Sequence, residues 1–375
     1  MGPLDYYRQF EGMSDLEISE ELRTRSVERR RLALTKVEPL DLSETTWHEF
    51  PHPDVVAAVT YAARRGINRA RDPHARDLRE ALAARAGLPV DRVAAGHGAA
   101  ALLADAAAVL LAPGDELLTP WPSYPLYPAM ARRAGGIPVP VACFDPQALL
   151  SAVTPRTRVV VICNPNDPTG DLLGVDALDG LLRALPRHVT VLLDEALRDY
   201  VEAEPVDATL ALLAAHPRLL VIRTLSKAYG LAGLRCGWAM GGRGSGELLG
   251  HLAPPLGLAD PIAAGALEAL RATAPQVAAR RAVIATERRR LLDAIVDLPV
   301  DAGPSQANLV WLRAPGLTGN QLASRLSRQA VIVAPGAAVG SDDHVRVTIQ
   351  SPAATDRLLD ALTRGLAEPG QSAAD

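Results

Sequence analysis

The sequence predicts an α/β fold, with a large three-layer α/β/α domain built on a mostly parallel sheet and a smaller C-terminal α/β domain. Two patterns predict it. From about residue 53, helical segments alternate with short β-branched runs, Arg158–Cys163, Val189–Asp194, Leu219–Thr224 and Leu234–Met240. Such alternation makes crossover units and parallel strands. After a two-helix stretch, Asp260–Leu298, strand-like runs return at Ala307–Arg313, Val331–Ala334 and Val345–Ile349, with helical segments between and after them.

The elements follow in order. Ser14 with Glu17 forms a capping-box pattern, and the charged stretch to about Val37 predicts a polar helix. Its Arg23, Arg25, Arg29, Arg30 and Arg31 are balanced by Glu17, Glu20, Glu21 and Glu28, which favours a solvated or subunit-contacting arm over a nucleic-acid contact. Ala99–Ala112 is the most apolar helical stretch; Asp105 interrupts it and it is too short to span a bilayer. The expected organisation is a helical arm over 1–45, a large ligand-binding domain over 46–275 and a small domain over 276–375, with a frayed tail after about Glu368. Ligands of such sheets bind at the carboxyl ends of the strands.

Composition narrows the function. The 375 residues are 48% hydrophobic and 22% charged, and 39 Lys plus Arg against 43 Asp plus Glu leave a net charge of −4. That balance provides no basic footprint for nucleic acid or anionic lipid, so a small molecule is the expected partner. Cys143, Cys163 and Cys236 are far apart in apolar runs and read as buried, reduced thiols without metal-ligand spacing. With no apolar leader in the acidic N-terminal stretch, the expected compartment is the cytoplasm.

Only Lys36 and Lys227 are lysines; the other 37 basic residues are arginines. Arginine cannot replace an amine that must lose its proton and form an imine, so Lys227 is a candidate nucleophile, with codon bias as the plain alternative. It lies in Thr224-Leu225-Ser226-Lys227-Ala228-Tyr229-Gly230-Leu231-Ala232-Gly233-Leu234-Arg235, at the end of an apolar run. One short loop thus carries an amine, two hydroxyls and a guanidinium, the set that a cofactor with an aldehyde and a phosphate requires. Asp194 ends a run of Val and Leu, where it can cap a helix or pair with a pyridinium nitrogen.

Asn164-Pro165-Asn166-Asp167-Pro168-Thr169-Gly170, then Asp194-Glu195-Ala196, then the Ser226-Lys227 segment ending at Arg235, then Arg346, form a series that resembles the class I/II pyridoxal-phosphate aminotransferases, nearest the histidinol-phosphate branch. The resemblance covers roughly residues 41 to 365 and implies a fold type I PLP-transferase, pyridoxal 5'-phosphate as cofactor, and a homodimer exchanging an amino group between an amino-acid-like amine and a 2-oxo acid. It implies that Lys227 forms the imine, Asp194 holds the pyridine nitrogen, and Thr224, Ser226 and Arg235 take the phosphate with the turn at Gly98 and Ala99. Helix N-termini suit an anion there. Tyr124 matches the aromatic that stacks on the ring, and Arg346, with Asn308 as a weaker companion, matches the binder of the substrate carboxylate.

The series is broken in places. Asp167 stands where an Asn donates to the cofactor phenolate, and Leu197 where a Tyr does. Losing both donors makes that oxygen more basic, so the imine proton is expected to be held across neutral pH. Asn166 taking the donor position, or a neutral Asp167, are the alternatives. Ala70 stands where relatives usually have a Tyr that reaches the phosphate of the neighbouring subunit's cofactor, leaving Arg69 or Arg71 as substitutes or simply weaker binding, and Ser43-Glu44-Thr45-Thr46 stands where that family has Asn-Glu-Asn-Pro. A decarboxylase or other carbanion-forming lyase is the rival chemistry on this scaffold. A non-catalytic sensor that binds the cofactor is expected to carry a fused DNA-binding module, for which the charge-balanced N-terminal stretch leaves little room, and a dinucleotide oxidoreductase resting on Gly241–Gly246 leaves Lys227 and Asp194 unexplained.

Overall fold

The computed structural model describes residues 38–69, 72, 74–142 and 144–367. The expected helical arm to Val37, Lys36, Ala70, Arg71, Cys143 and the tail beyond residue 367 lie outside the described residues. The chain divides into two compact units, Met1–Leu40 and Asp41–Asp375, and both sheets described below belong to the second.

The large sheet has seven strands: β1 (Val93–Gly96), β2 (Glu116–Pro120), β3 (Ile137–Val141), β4 (Thr157–Cys163), β5 (Thr190–Asp194), β6 (Leu219–Thr224) and β7 (Gly237–Gly241). Their order is β1-β7-β6-β5-β4-β2-β3, with β7 antiparallel to both neighbours and the remaining pairs parallel. The expected mostly parallel sheet is therefore present. The antiparallel β7 also removes the dinucleotide reading of Gly241–Gly246, since no parallel strand feeds that turn.

The central strands are apolar without alternation because both faces are covered. In β4, Val160 and Ile162 join one core cluster with Val191, Leu193 and Val221. Val159, Val161 and Cys163 join the other with Leu192, Leu220 and Ile222. Helix α1 (Ala99–Leu110) lays Leu102, Leu103, Ala106 and Ala107 on this second face.

The strand expected over Leu234–Met240 starts late: Ala232–Leu234 turns as a 3-10 helix, Arg235 has φ +53°, and β7 begins at Gly237. β3 escaped the sequence reading because Pro138 and Pro140 break its pattern; it pairs only with β2, and an edge strand tolerates missing N–H donors.

The stretch 260–298 holds two helices, α2 (Asp260–Ala272) and α3 (Ala274–Ala294). Beyond them a four-stranded antiparallel sheet is formed by β8 (Asp301–Ala302), β9 (Leu309–Arg313), β10 (Ala334–Pro335) and β11 (His344–Thr348) in the order β10-β11-β9-β8. It sets Arg346 of β11 opposite Trp311 of β9. Among the described residues no helix is long and apolar enough to cross a membrane.

Candidate active site

Cys163, Asp194 and Thr224 are the last residues of β4, β5 and β6, so three adjacent strands deliver their ends to one place. Asp194 is 4% exposed. Its Oδ2 accepts from the Tyr127 phenol at 2.8 Å, and its Oδ1 from the Ala196 N–H at 3.0 Å. Even so, burial pushes its pKa up to about 6. A short 3-10 turn, Arg198–Tyr200, follows instead of an α-helix, so Asp194 is not an α-helix cap. Behind it, buried Glu195 accepts from Arg223 Nε at 2.8 Å and from the Thr209 hydroxyl at 2.6 Å, fixing the turn.

Lys227 follows β6 by three residues, and the turn is closed by the Gly230 N–H on the Lys227 carbonyl at 2.9 Å. Its ammonium donates to the Thr45 hydroxyl. Burial lowers its pKa, with the Asp167 charge opposing that shift. In the same loop Thr224 Oγ1 donates to Ser226 Oγ at 3.0 Å.

The start of α1 meets this loop. Gly98 has φ +92°, and a Cβ there would lie 3.0 Å from Arg235 Nη2, which places that guanidinium against the helix N-terminus. Gly237, paired with both Gly96 and Thr224, admits α1 because a Cβ would come within 2.7 Å of the Ala99 nitrogen. The Gly98 N–H is already given to the Gly96 carbonyl at 2.8 Å. The amides open to an anion are therefore those of Ala99 and Ala100, in the first turn, where no intrahelical carbonyl is in reach.

Ala99, Tyr124, Asp167, Asp194, Thr224, Ser226, Lys227 and Arg235 line one cavity of about 220 Å³. A roomier cleft of about 520 Å³ beside Arg85, Asp199 and Asp207 contains none of the expected site residues, so volume alone does not identify the site. Tyr124 is 36% exposed and meets Tyr127 edge-on, with ring centroids 5.9 Å apart.

Arg346 of β11 and Asn308, just before β9, lie outside that lining and connect to it through the segment Ser43–Thr45, whose Glu44 lines the cavity. Arg346 Nη2 donates to the Ser43 carbonyl at 2.6 Å, and Asn308 Nδ2 to the Thr45 carbonyl at 3.1 Å. Arg346 Nη1 donates to Asp167 Oδ1 at 2.7 Å. Asn166 does not take the place of Asp167: its Oδ1 accepts from Ser123 Oγ at 2.7 Å and its Nδ2 donates to the Pro122 carbonyl at 3.0 Å. Leu197 is buried, and Arg69 is exposed.

Sequence reasoning missed Tyr127, Thr45, Ala100 and Gly237. Tyr127 could have been found as the second phenol, three residues past Tyr124. The contacts of Thr45 and Gly237 carry no local signal. Cys163 and Cys236 are free and buried as expected, and among the described residues no group of His, Cys, Asp or Glu could hold a metal.

The residues present fit pyridoxal 5'-phosphate. A buried carboxylate raised toward neutrality gains from a cationic ring nitrogen, the amine lines the same cavity, and hydroxyls, a guanidinium and helix-start amides converge where Gly98 and Gly237 let Arg235 and the start of α1 approach closely.

Comparison with known proteins agrees. Residues 37–362 match the family model described as aminotransferase class I and II. The aromatic amino acid aminotransferase of Mycolicibacterium vanbaalenii is 36% identical over 313 residues, covering 82% of this chain and 87% of that protein. That of Mycolicibacterium smegmatis is 36% identical over 324 residues, covering 85% and 88%. Among solved structures, histidinol-phosphate aminotransferase from Sinorhizobium meliloti, in complex with pyridoxal-5'-phosphate, superimposes with a TM-score of 0.78 at 27% identity over 88% of this chain and 91% of that one. A double mutant of Thermus thermophilus aspartate aminotransferase gives a TM-score of 0.79 at 26% identity, covering 98% and 100%.

Proposed function

The chain belongs to the aminotransferase class I and II family, and from that premise we propose that its cavity binds pyridoxal 5'-phosphate and serves transamination between an amino-acid-like amine and a 2-oxo acid. The observation that carries this reading is the amine of Lys227 and the buried carboxylate of Asp194 lining one cavity with Thr224, Ser226 and Arg235. When bound, the cofactor supplies an aldehyde and an electron-withdrawing pyridine ring.

The chain supplies the rest. Asp194, bonded by Tyr127 and the Ala196 amide, keeps a proton on the ring nitrogen by offering it a buried negative charge. Thr224, Ser226, Arg235 and the amides of Ala99 and Ala100 hold the phosphate. Tyr124 packs against the ring. Lys227, its basicity reduced by burial, would carry the proton taken from the substrate carbon. Thr45 holds the free amine of Lys227 in place before it meets the cofactor's aldehyde. Leu197 and Tyr124 give the cavity apolar and aromatic wall, which supports a donor with an aromatic side chain. The family likeness supports a homodimer working in the cytoplasm on small molecules, without nucleic acid or membrane.

The test is the visible spectrum of the cofactor-loaded protein during addition of aromatic amino acids, L-histidinol phosphate, glutamate and alanine. Conversion to the amine form of the cofactor, reversed by 2-oxoglutarate, is expected. A band that shifts and never converts would point to the decarboxylase or lyase reading.

A further inference from the structure

Arg346 is already engaged by a carboxylate of its own chain. Its Nη1 donates to Asp167 Oδ1 at 2.7 Å, with the two side chains only 14% and 8% exposed, and its Nη2 donates to the Ser43 carbonyl at 2.6 Å. Of the guanidinium nitrogens only Nε is unpaired, and it is buried. Asn308 is held by the same segment, through Thr45, and its Oδ1 is a second unpaired buried atom, an acceptor.

A guanidinium balanced at contact distance offers little net attraction to another carboxylate, and an incoming one would lie against the charge of Asp167. Asp167 itself lines the cavity, whereas Arg346 Nε and Asn308 Oδ1 are buried. A hydroxyl or a carboxamide can donate to the Asp167 carboxylate that lines the cavity, whereas a carboxylate can only accept and meets a like charge there.

We propose that Asp167 determines donor specificity: by neutralising Arg346 it turns the site toward amines carrying an uncharged hydroxyl or amide group beside the amino-bearing carbon, the amino-alcohol class, and away from α-amino acids. The inference rests on the transaminase reading of this cavity. It extends to the return half-reaction, where the same pairing handicaps a 2-oxo acid by raising its KM.

The experiment uses the cofactor-loaded enzyme and Asp167→Asn, which keeps the shape and removes the charge. Calorimetric binding of 3-phenylpropanol and 3-phenylpropionate is measured beside the half-reaction rates with L-phenylalaninol and L-phenylalanine. The wild type is expected to bind the alcohol as well as the carboxylate and to favour phenylalaninol in kcat/KM. Asp167→Asn should tighten the carboxylate by about tenfold or more while changing the alcohol by less than about threefold. Tighter binding of the carboxylate by the wild type, or an unchanged ratio in a folded Asp167→Asn, overturns the proposal; the first comparison stands even if the variant fails to fold. If neither donor converts the cofactor, the transaminase reading fails, while the binding ratio still decides the role of Asp167.

Discussion

Tyr127 and Asp194 share a buried hydrogen bond of 2.8 Å, donated by the phenol, and the tyrosine ring has no exposed surface. The bond is one of two that stabilise the ionised form of a carboxylate whose pKa burial has pushed up to about 6. Tyr127→Phe removes a donor from a charged buried acceptor, a loss of about 1–3 kcal/mol. Less of Asp194 is then ionised near neutrality, so the variant should release pyridoxal 5'-phosphate about tenfold more readily, a change of about 1.4 kcal/mol. Cofactor retained after dialysis at pH 7 measures this; retention equal to the wild type would reduce Tyr127 to core packing.

The same carboxylate makes the cofactor-free protein pH-sensitive. The folded pKa of Asp194, about 6, lies above its ordinary value of 3.8. Folding therefore favours the protonated form: that contribution is fully present below about pH 4 and is lost as pH rises through 6. The loss amounts to about 3 kcal/mol. Asp194→Asn should accordingly be more stable than the wild type to urea at pH 8 without cofactor, with the gap narrowing toward pH 4. Cofactor retention should move the other way, because the variant offers the ring nitrogen no charge. Parallel pH dependence of the two proteins would show that Asp194 is not the responsible group.

The strand ends and the motifs that follow them were legible in the sequence because both are local. Leu219–Thr224 reads as a strand from its β-branched and aliphatic run and is one, and Lys227 stands out in a chain with two lysines. Val93–Gly96 was not legible, since two of its four residues are alanine and its pairing with β7 comes from far along the chain. Likewise Asp167 is visible as a departure in a motif, but its partner Arg346 lies 179 residues away on another sheet. What Asp167 does depends on how the two sheets meet, and no sequence period encodes that meeting. Gly237 is a similar case. Its lack of a side chain makes sense only once α1 is known to cross it.

Gly237→Ala tests the anion cradle without touching a charged group. The added Cβ would lie 2.7 Å from the Ala99 nitrogen and 2.8 Å from both the Arg223 carbonyl oxygen and the Gly98 carbonyl carbon, all backbone atoms that cannot rotate aside. Overpacking of this kind costs about 1–3 kcal/mol and shifts the start of α1. The variant should lose affinity for pyridoxal 5'-phosphate more than for pyridoxal, which carries no phosphate. Equal losses for the two would place the damage outside the cradle.

The composition itself permits a chemical assignment of the nucleophile. Borohydride reduction of the cofactor-loaded protein fixes the cofactor to the amine that holds it, and the chain contains only two lysine amines, Lys36 and Lys227. Lys227 lines the cavity, and burial lowers its pKa toward the unprotonated form that attacks an aldehyde. Peptide mapping should therefore find the adduct on the Lys227 peptide. Lys227→Arg preserves the positive charge near Asp167 and Thr45 while removing the primary amine, so its fold should persist. Its transamination rate should fall by about 10² to 10⁴ or more, since the group that moves the proton is lost with the one that binds the cofactor. An adduct on Lys36 or the N-terminal amine, or a Lys227→Arg enzyme with near wild-type turnover, would remove Lys227 from the reaction and with it the reading of this cavity.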